Sequence, residues 1–422
     1  MSNTLTLPAI KYKMGTKKLL VIGGGAAGFF CAVNAARLNP QLEVIIVEKS
    51  NKLLSKVRVS GGGRCNVTHS CFSITEMIKK YPRGHSFLKK AFYHFFTTDT
   101  IQWFSERQVT LKTEADGRMF PVTDSSETIV NCLVQEVNLY GVQIILNKEV
   151  SQLLLLNNQW KVVFANDSNL VADYVCVASG GYPKALQFEW LQKLGHTINA
   201  PTPSLFTFNM PGNSITSLMG ISVDNAAVKI IGSKLQETGP LLITHWGMSG
   251  PCILKLSAWG AKELAACNYK FSIMVNWLPS YNEQSLKEQF QQVRFKFAAQ
   301  KIVNRNPFSL PLRLWQYLLQ QSGINESIRW ADLPAKEQNK LIKNCCSQEF
   351  SISGKTTFKE EFVTAGGVDL AEVDYNTLQS KIVPNLYFAG EVLNIDGVTG
   401  GFNFQSAWTT GFIAAKAIAG SF

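Results

Sequence analysis

A stretch near the N-terminal end of the chain, VRVSGGGRCNVTHSC at residues 57–71, gathers several side chains that could do chemistry. Its three consecutive glycines favour a backbone that passes close to a ligand, because glycine carries no Cβ. Arg64 could pair with a phosphate or brace the loop, and Asn66 could form hydrogen bonds with a ligand. The Cys65 thiol is either a proton donor or a small packing residue. His69 is interpreted as a solvated loop residue.

A second candidate for acid–base chemistry is His245, in the stretch THWGMSGP at residues 244–251. An imidazole changes charge near neutral pH, so His245 either exchanges protons with a substrate or forms structural hydrogen bonds. The nine cysteines and five histidines form no CxxC pair and no HExxH pattern, so we expect no metal site. The odd number of cysteines, with Cys345 and Cys346 adjacent, favours a reduced, cytoplasmic compartment.

The elements that must position these residues begin with a nucleotide-binding pattern at residues 18–49. The apolar runs predict a buried strand at Leu19 to Ile22, a helix at Ala26 to Leu38 and a second strand at Val44 to Val47. Glycines in GxGxxG spacing lie between the first strand and the helix, whose N-terminal N–H groups can bind a pyrophosphate. Glu48, twenty residues after Gly28, can accept hydrogen bonds from a ribose. The alternative is a tight strand–helix turn in an unrelated α/β protein.

The C-terminal end of the chain carries a second cofactor pattern, at residues 386–417. A strand predicted at Leu386 to Ala389 leads directly into Gly390 and Glu391, and a helix is predicted to begin near Asn403 after a glycine-rich loop. This arrangement is typical of proteins that bind FAD with both ends of the chain, because the helix N-terminus then faces the flavin pyrimidine ring. The alternative is a buried glycine-rich helix without a cofactor.

A second nucleotide-binding fingerprint is absent from the sequence. Gly180 and Gly181 follow a predicted strand at Tyr174 to Ala178, but no helix pattern follows them. The sequence therefore predicts FAD without a separate nicotinamide domain, so that NAD(P)H visits the flavin only transiently as an electron donor. No uninterrupted apolar run reaches about 18 residues, so we expect no membrane span. The stretch Leu19 to Val33 is broken by glycines and is interpreted as the fingerprint rather than as a signal peptide.

With these motifs the chain resembles the HI0933-like family of bacterial flavoproteins, also called the BaiN/RdsA family. The resemblance runs from about residue 17 to the C-terminus and rests on SGGGRCN at 60–66, THWGMSGP at 244–251, TAGGV at 364–368 and LYFAGEVLNIDGVTGGFNFQSAW at 386–408. It implies an α/β fold with a doubly wound FAD-binding (Rossmann-like) domain made of residues 17–190 and 355–422. It also implies an inserted β-rich domain at 200–278 plus about 347–354, and a small helical subdomain at 280–346.

The resemblance also implies which residues hold the cofactor, because in this family the SGGGRCN loop passes the pyrophosphate and the flavin. The sequence departs from the family after Ala178, where the loop is shorter and lacks several glycines, so only the three residues that follow are assigned there. The residues predicted to contact FAD are Gly23, Gly25, Ala26, Ala27, Gly28, Glu48, Lys49, Lys56, Ser60, Gly61, Gly62, Gly63, Arg64, Asn66, Val150, Ser179, Gly180, Gly181, Gly390, Glu391, Gly400, Gly401, Asn403, Phe404 and Gln405. Cys65 and His245 are the candidate catalytic residues.

Positive charge is concentrated beside the glycine loop. The chain has 41 Lys and Arg against 30 Asp and Glu, a net charge of +11. Residues 51–95 contain nine basic residues and one acidic residue, a net charge of +8, with aromatic residues interleaved. FAD brings only about two negative charges, so the excess predicts either a solvated basic face or a surface that binds RNA phosphates. The predicted RNA contacts are Lys79, Lys80, Arg83, Lys89 and Lys90.

Together these features predict an FAD-dependent oxidoreductase. The activities that the resemblance implies are reduction of C=C bonds in steroid-like enones, oxidation of a small aminoketone, and reduction of uridine to dihydrouridine in ribosomal RNA. Because the basic surface favours RNA, the sequence favours an ene-reductase that transfers hydride from flavin N5 to uridine. The alternatives are a small-molecule flavin reductase or oxidase, and a flavin-containing RNA-binding factor without turnover.

Overall fold

The structure is a computed structural model that describes residues 17–357 and 363–421. Residues 358–362 and 422, which the sequence analysis assigned to the FAD-binding domain, lie outside the described residues. Two hydrophobic cores organise the described chain, one formed by both ends of the chain and one by its middle. These cores support the division into domains, whose boundaries stay a prediction.

The first core is built on a five-stranded parallel sheet. Its strands, in spatial order, are Leu386–Phe388, Tyr174–Val177, Lys18–Ile22, Glu43–Val47 and Gln143–Ile145. The three middle strands are nearly continuous runs of buried apolar side chains, as expected of parallel strands that are covered on both faces. The predicted α/β fold with a doubly wound domain is confirmed, and the four strands predicted above agree with these bounds to within one residue.

Two helices from opposite ends of the chain pack together on this sheet. The first helix is Ala26–Leu38, as predicted, and it ends just before Pro40. The last helix is Phe402–Ala419, which starts one residue before its predicted start. Gly411 allows the two helices to touch, because a Cβ there would lie 2.8 Å from the carbonyl oxygen of Ala27. The two ends of the chain therefore form one unit.

Shorter elements complete this part of the molecule. Two small antiparallel sheets consist of Thr68–His69, Arg118–Pro121 and Leu111–Thr113, and of Val150–Leu156, Gln159–Phe164 and Asn169–Ala172. The further helices are Ser55–Gly63, Ile74–Ile78, His85–Ala91, Thr97–Ser105, Ser126–Leu139 and Glu189–Gln192, with 3₁₀ turns at Ala185–Phe188, Leu370–Glu372 and Gly390–Val392. The SGGGRCN loop thus runs between a helix and a short strand that fix its two ends.

The second core lies against a seven-stranded antiparallel sheet. Its strands, in spatial order, are Gln348–Ser353, Lys270–Asn276, Ser222–Ile230, Gln236–Thr244, Gly247–Ser249, Thr207–Asn209 and Lys355–Thr356. The helices Pro251–Trp259 and Ala261–Ala266 pack beside it. The strand Ser222–Ile230 contains an irregularity between Val223 and Ala226, which returns the apolar residues to the buried face.

Helices extend this second core on one side. They are Glu283–Lys296, Leu312–Gln321 and Ala335–Cys346, with 3₁₀ turns at Ser214–Leu218 and Ile302–Asn304. The first ends at Lys296, because the following backbone pairs with residues 328–331. The N–H of Trp330, for example, donates to the carbonyl of Gln300. Of the helices in the described part of the chain, none combines the length and apolar character that a membrane crossing needs.

Two connections hold the cores together. One is the antiparallel pair Ile198–Ser204 with Val363–Val368. The other is a buried ion pair between Arg83 and Asp396, in which the guanidinium also donates to the carbonyl of Ala258 at 2.7 Å. Because Ala258 lies in the helix Pro251–Trp259, this network ties the inserted part to the FAD-binding part.

Candidate active site

The nucleotide-binding turn lies between the strand Lys18–Ile22 and the first helix. Gly28 has no room for a side chain, since a Cβ would lie 2.0 Å from the carbonyl oxygen of Gly23. Gly25 is the opposite case, because no atom lies within 4 Å of a Cβ built there. Ala26 beside it is partly exposed, whereas Ala27 is packed inside. The first turn of the helix therefore presents its N–H groups to open space where the fingerprint predicts the pyrophosphate.

Glu48 ends the second strand of the fingerprint and folds back onto the turn. Its Oε2 accepts a hydrogen bond from the N–H of Gly24 at 2.8 Å, and its Oε1 accepts one from the N–H of Ser50 at 3.0 Å. The side chain is partly exposed, so its remaining lone pairs can accept hydrogen bonds from a ribose. The two backbone contacts fix the orientation of the carboxylate in advance.

The SGGGRCN loop leaves the helix Ser55–Gly63 at Ser60. The φ angles of the three glycines are 60°, 70° and 85°, in the left-handed region that favours glycine. A Cβ at Gly61 would lie 2.7 Å from the ring of Phe120, but no atom lies within 4 Å of a Cβ at Gly62 or Gly63. Gly61 thus serves packing, whereas Gly62 and Gly63 expose backbone that a cofactor can approach.

Arg64 braces this loop. Its Nη1 lies 2.5 Å from Oε1 of Glu114, and its guanidinium packs 4.0 Å from the centre of the Phe120 ring. The hydrogen bond with Glu114 raises the pKa of Arg64, so the group keeps its charge and its partner. Of the two roles that the sequence allowed, the structure favours bracing over a phosphate contact.

Cys65 is completely buried, with a left-handed φ of 61°. Burial raises the pKa of its thiol to about 12. A group that is so weakly acidic and so inaccessible is a poor proton donor, because proton transfer needs a pKa near the working pH. The structure therefore favours the packing interpretation over the catalytic one.

Two asparagines fix the N-terminus of the last helix. When the amide of Asn66 is oriented to satisfy both neighbours, its oxygen accepts from the N–H of Gly401 at 2.9 Å and its nitrogen donates to the carbonyl of Thr68 at 3.0 Å. Asn403 exchanges two hydrogen bonds with the backbone of Gly397, at 2.8 and 2.9 Å. Both side chains therefore brace the loops around the helix N-terminus, where the sequence predicts the flavin.

The side chain of Gln405 points into the core. It is completely buried, and its Oε1 accepts hydrogen bonds from the hydroxyls of Thr68 and Thr100 at 2.6 and 3.0 Å. Its Nε2 donates to the hydroxyl of Thr409, one helical turn further on, at 3.2 Å. The side chain of Gln405 thus belongs to the core, and a contact of this residue with FAD stays a prediction. Phe404 is partly exposed, and its contact with FAD stays a prediction.

Glu391 joins three separate segments of the chain. Its Oε2 lies 2.5 Å from Nζ of Lys56, and its Oε1 accepts a hydrogen bond from the N–H of Thr364 at 2.8 Å. A Cβ at Gly181 would lie 3.0 Å from the same Oε1. Glu391, one of the predicted FAD contacts, is therefore held in place by residues of the protein itself.

The other residues predicted to contact FAD lie around these turns. Their contacts within the protein neither support nor oppose a role in cofactor binding. Gly390 packs against the first helix, since a Cβ there would lie 2.7 Å from that of Ala27. Lys49 is exposed, and its Nζ lies 5.4 Å from the centre of the Tyr182 ring. The cofactor contacts that stay predictions are those of Lys49, Val150, Ser179, Gly180, Gly390 and Gly400.

His69 is the residue that the sequence analysis misjudged. Its ring stacks on Phe402 with 4.8 Å between the ring centres, and a Cβ at Gly117 would lie 2.4 Å from its Cε1. Its Nε2 lies 3.1 Å from the carbonyl oxygen of Asp116, while its Nδ1 is buried and has no hydrogen-bond partner within residues 17–357 and 363–421. His69 is thus fixed beside the last helix and is not a solvated loop residue. The only sign of this packing in the sequence is Gly117, because a glycine there leaves room for the imidazole ring.

Lys80 and Lys255, which come from different parts of the protein, act electrostatically on both His69 and Glu237. Lys80 belongs to the FAD-binding part, where its carbonyl accepts a hydrogen bond from the N–H of Val398 at 2.9 Å, whereas Glu237 and Lys255 belong to the inserted part. Burial lowers the pKa of His69, and the charges of Lys80 and Lys255 lower it further. Burial raises the pKa of Glu237, against the effect of both lysines. We call His69, Lys80, Glu237 and Lys255 the cleft cluster.

His245 lies apart from the cleft cluster. It is exposed at the turn after the strand Gln236–Thr244, and its ring packs on that of Trp246, 3.9 Å away between ring centres. Glu237 is at the other end of the same strand, roughly 20–25 Å away at about 3.3 Å per residue. The structure does not bring His245 together with His69, and an acid–base role for His245 stays a prediction.

Five of the nine basic residues at 51–95 pair with carboxylates, and four of these carboxylates come from outside the segment. Ion pairs join Lys56 to Glu391, Arg58 to Glu127, Arg64 to Glu114, Lys79 to Glu76 and Arg83 to Asp396. The Arg83 side chain is only 12% exposed. The prediction that Arg83 binds RNA phosphates is therefore wrong, because its guanidinium is committed to a buried partner. Lys80, Lys89 and Lys90 remain exposed.

The described residues fit FAD. Gly25, Gly62 and Gly63 leave backbone open for a pyrophosphate, and Glu48 stands beside the first turn as a ribose acceptor. The hydroxyl of Thr364, next to Glu391, is buried and has no hydrogen-bond partner in the described part of the chain. A dinucleotide needs this combination of open backbone N–H groups and polar side chains.

Comparisons with known proteins agree with this site. Residues 17–417 match the family model described as the HI0933-like protein Rossmann domain. The chain is 29% identical over 411 residues to the ribosomal RNA dihydrouridine synthase of Haemophilus influenzae, covering 94% of this chain and 98% of that protein. It is 27% identical over 407 residues to the 3-dehydro-bile acid delta(4,6)-reductase of Clostridium scindens, with 94% and 98% covered. A ribosomal RNA dihydrouridine synthase of Escherichia coli is 28% identical over 408 residues, with 94% and 96% covered.

Solved structures of similar fold are more distant in sequence. The 3-ketosteroid delta1-dehydrogenase of Sterolibacterium denitrificans is 12% identical with a TM-score of 0.52, and the match covers 97% of this chain and all of that one. The 3-ketosteroid-delta4-(5alpha)-dehydrogenase of Rhodococcus jostii is 12% identical with a TM-score of 0.51, covering 96% and 97%. At such identities the likeness shows a shared fold alone.

Proposed function

Because the chain belongs to the HI0933-like family and is an FAD-dependent oxidoreductase, we propose that it reduces a conjugated C=C bond, and that its substrate is uridine in ribosomal RNA. Two relatives are named ribosomal RNA dihydrouridine synthases and one a bile acid reductase, so all three names describe saturation of a C=C bond. Uridine C5=C6 is such a bond, conjugated with the C4 carbonyl. Uridine in RNA is therefore a substrate on which the C=C reduction common to the three relatives can take place.

The observation that carries the proposal is the cleft cluster. It places one imidazole and two ammonium groups together beside the N-terminus of the last helix, where the flavin is predicted. Cations at this place would attract an RNA backbone and would also stabilise the negative charge that develops on a reacting carbonyl. A target base has to leave its stack to reach a flavin, and RNA loops allow this.

The cofactor and the chain divide the chemistry between them. When bound and reduced, FAD would supply the hydride that uridine C6 takes up. Lys80 and Lys255 stabilise the charge that then develops on O4. His69 gives the proton to C5 from its charged imidazole; since its Nε2 is held by the carbonyl of Asp116, the donor is Nδ1, which is buried and has to become accessible when the substrate binds. One hydride and one proton convert the double bond to the single bond of dihydrouridine, and the imidazole recovers its proton from solvent.

The electron donor is proposed to be NAD(P)H, binding transiently. Within the described residues, Gly180 and Gly181 lead into the 3₁₀ turn Ala185–Phe188 rather than into a helix of nucleotide-binding type. The chain thus offers one dinucleotide-binding turn, which FAD uses. A nicotinamide would have to approach the flavin from the cleft and leave before RNA enters.

A small-molecule enone is the second candidate substrate. It is favoured by the relative of 27% identity that is named as a bile acid reductase. Such a substrate needs an apolar cavity and little positive charge. The two lysines of the cleft cluster favour the polyanionic substrate instead.

Nucleoside analysis of ribosomal RNA tests the proposal. Ribosomal RNA from a strain that lacks the gene is digested and compared by mass spectrometry with RNA from the parent strain. We expect the mutant to lose a dihydrouridine that the wild-type gene restores. Unchanged dihydrouridine in the mutant would favour the small-molecule substrate. Restoration by a variant that retains no FAD would instead identify an RNA-binding factor without turnover.

A further inference from the structure

Phe295 is an aromatic side chain that the fold does not use. The helix Glu283–Lys296 buries Leu286, Phe290 and Val293 in the second core. Phe295 lies on the opposite side of the helix and is 91% exposed, more than any other large apolar side chain in the described residues. A single exposed apolar side chain is common on protein surfaces, so Phe295 becomes informative only together with the charges around it.

Cations surround this end of the helix. Lys296 and Arg305 both lie against the ring of Phe297, at 5.4 and 4.3 Å from its centre. Lys301 and Arg329 are cross-strand neighbours in an isolated antiparallel bridge. The bridge follows directly from the helix end, since the segments 298–302 and 328–331 pair there. These four residues therefore lie at or just beyond the end of the helix that carries Phe295.

Within the described residues, carboxylates leave this positive charge without ion-pair partners. Residues 294–329 contain six basic residues and one acidic residue, and in the described part of the chain none of the six pairs with a carboxylate. In the basic run at 51–95, by contrast, five of nine cations have such partners. Arg294 and Lys296 lie in the last turn of the helix, where the helix dipole stabilises positive charge. The dipole does not account for Lys301, Arg305 and Arg329, which lie outside the helix.

We propose that Phe295, Lys296, Lys301, Arg305 and Arg329 form an RNA-binding surface, on which one unpaired base stacks on Phe295 and phosphates lie on the four cations. An aromatic ring flanked by unpaired cations matches the chemistry of single-stranded RNA, because every base has a face that stacks and every nucleotide carries a charge. The inference rests on the proposed RNA substrate. It moves the main RNA contact from the run at 51–95 to the helical subdomain.

Two sets of variants test this surface on the full-length, FAD-loaded protein. The probe is a labelled single-stranded RNA of mixed sequence, and affinity is measured at several KCl concentrations. Phe295→Ala should weaken binding roughly 5- to 140-fold, which corresponds to about 1–3 kcal/mol of base stacking, and Phe295→Trp should restore it. Changing the four cations to Gln should reduce the slope of log K against log salt by roughly 3, at about 0.7 per contact.

Matched controls separate this surface from others. Leu139→Ala removes a side chain of 69% exposure elsewhere and should leave RNA affinity unchanged. FAD content and flavin reduction should also remain unchanged in every variant.

RNA affinity of wild-type strength in Phe295→Ala overturns the inference, even if the wild-type protein makes dihydrouridine. A change from dimer to monomer with unaltered RNA affinity also overturns it, because Phe295 would then contact a second copy. If RNA binds through Phe295 but no dihydrouridine forms, the surface stands and the proposed function fails.

Discussion

Nζ of Lys56 lies 2.5 Å from Oε2 of Glu391, and this contact links the two ends of the chain across the cofactor site. Lys56 precedes the SGGGRCN loop, and Glu391 follows the last strand of the parallel sheet. The side chain of Lys56 is 43% exposed and that of Glu391 18%. The pair is therefore screened by water, and we interpret it as a positioning contact for the cofactor rather than as a major source of stability.

Lys56→Gln should separate these two effects. We expect a loss of at most about 1 kcal/mol in the free energy of unfolding, because exposed ion pairs contribute little. Retention of FAD during purification should fall clearly, since Glu391 loses the partner that orients it. The ratio of flavin to protein absorbance measures retention, and chemical denaturation measures stability. Lys52→Gln, at an exposed neighbouring position, is the control, and equal FAD content in both variants would contradict this role.

Gly25 and Gly28 should respond in opposite ways to an added side chain. Gly25→Val places its side chain in open space at the first turn of the helix, so the apoprotein should fold normally and fail to retain FAD. Gly28→Ala forces a Cβ against the carbonyl oxygen of Gly23, so it should destabilise the protein by about 1–3 kcal/mol with or without FAD. Thermal unfolding of both apoproteins and their flavin content distinguish the two effects. A Gly25→Val protein that remains yellow would overturn the assignment of the pyrophosphate site.

Arg83→Gln should act on stability. Asp396 is completely buried, and burial raises its pKa while the ion pair with Arg83 lowers it. Removing the guanidinium leaves a buried carboxylate without its cation, which should cost about 3–5 kcal/mol in unfolding free energy. The double variant Arg83→Gln with Asp396→Asn should recover part of this loss. If Arg83→Gln instead keeps its stability and flattens the salt dependence of RNA binding, Arg83 does contact phosphate after all.

The sequence predicted those features of the fold that depend on residues close together along the chain. The fingerprint strand, the first helix and the start of the last helix follow from local apolar runs and glycine spacing. The partners of Arg83 and Lys56 come from more than 300 residues away, so a charge count within a segment could not reveal that these cations are neutralised. The burial of the Gln405 side chain was not foreseen, because a motif match does not say which side of a helix faces the core.

His69 should control the pH dependence of substrate reduction. Its pKa is lowered by burial and by Lys80 and Lys255, so its charged form accumulates only below its ordinary value of about 6.5. If the charged ring is the proton donor, the rate of flavin reoxidation by substrate should rise as pH falls from 7.5 towards about 5.5. His69→Asn should be slower by about 10²–10⁴ and show no such rise. Equal rates and pH profiles in both proteins would show that His69 is not the proton donor and that water protonates the substrate instead.

Protein stability must be followed in the same experiment, because its pH dependence has the opposite sign. A histidine whose pKa is lowered in the folded protein stabilises the fold fully above its unfolded pKa of about 6.5, and this contribution is lost as pH falls below it. Wild-type protein should therefore lose more stability than His69→Asn between pH 7.5 and about 5.5. A melting temperature recorded at each pH keeps this loss from being taken for a change in catalysis.

The most direct test of the central claim is an anaerobic single turnover. The FAD of the purified protein is reduced with dithionite, excess reductant is removed, and protein-free ribosomal RNA from a strain lacking the gene is added. We predict that the flavin absorbance returns and that one dihydrouridine appears for each flavin oxidised. A flavin that stays reduced in the presence of this RNA but is reoxidised by a 3-keto-4-ene steroid would contradict the account and assign the protein to small-molecule reduction.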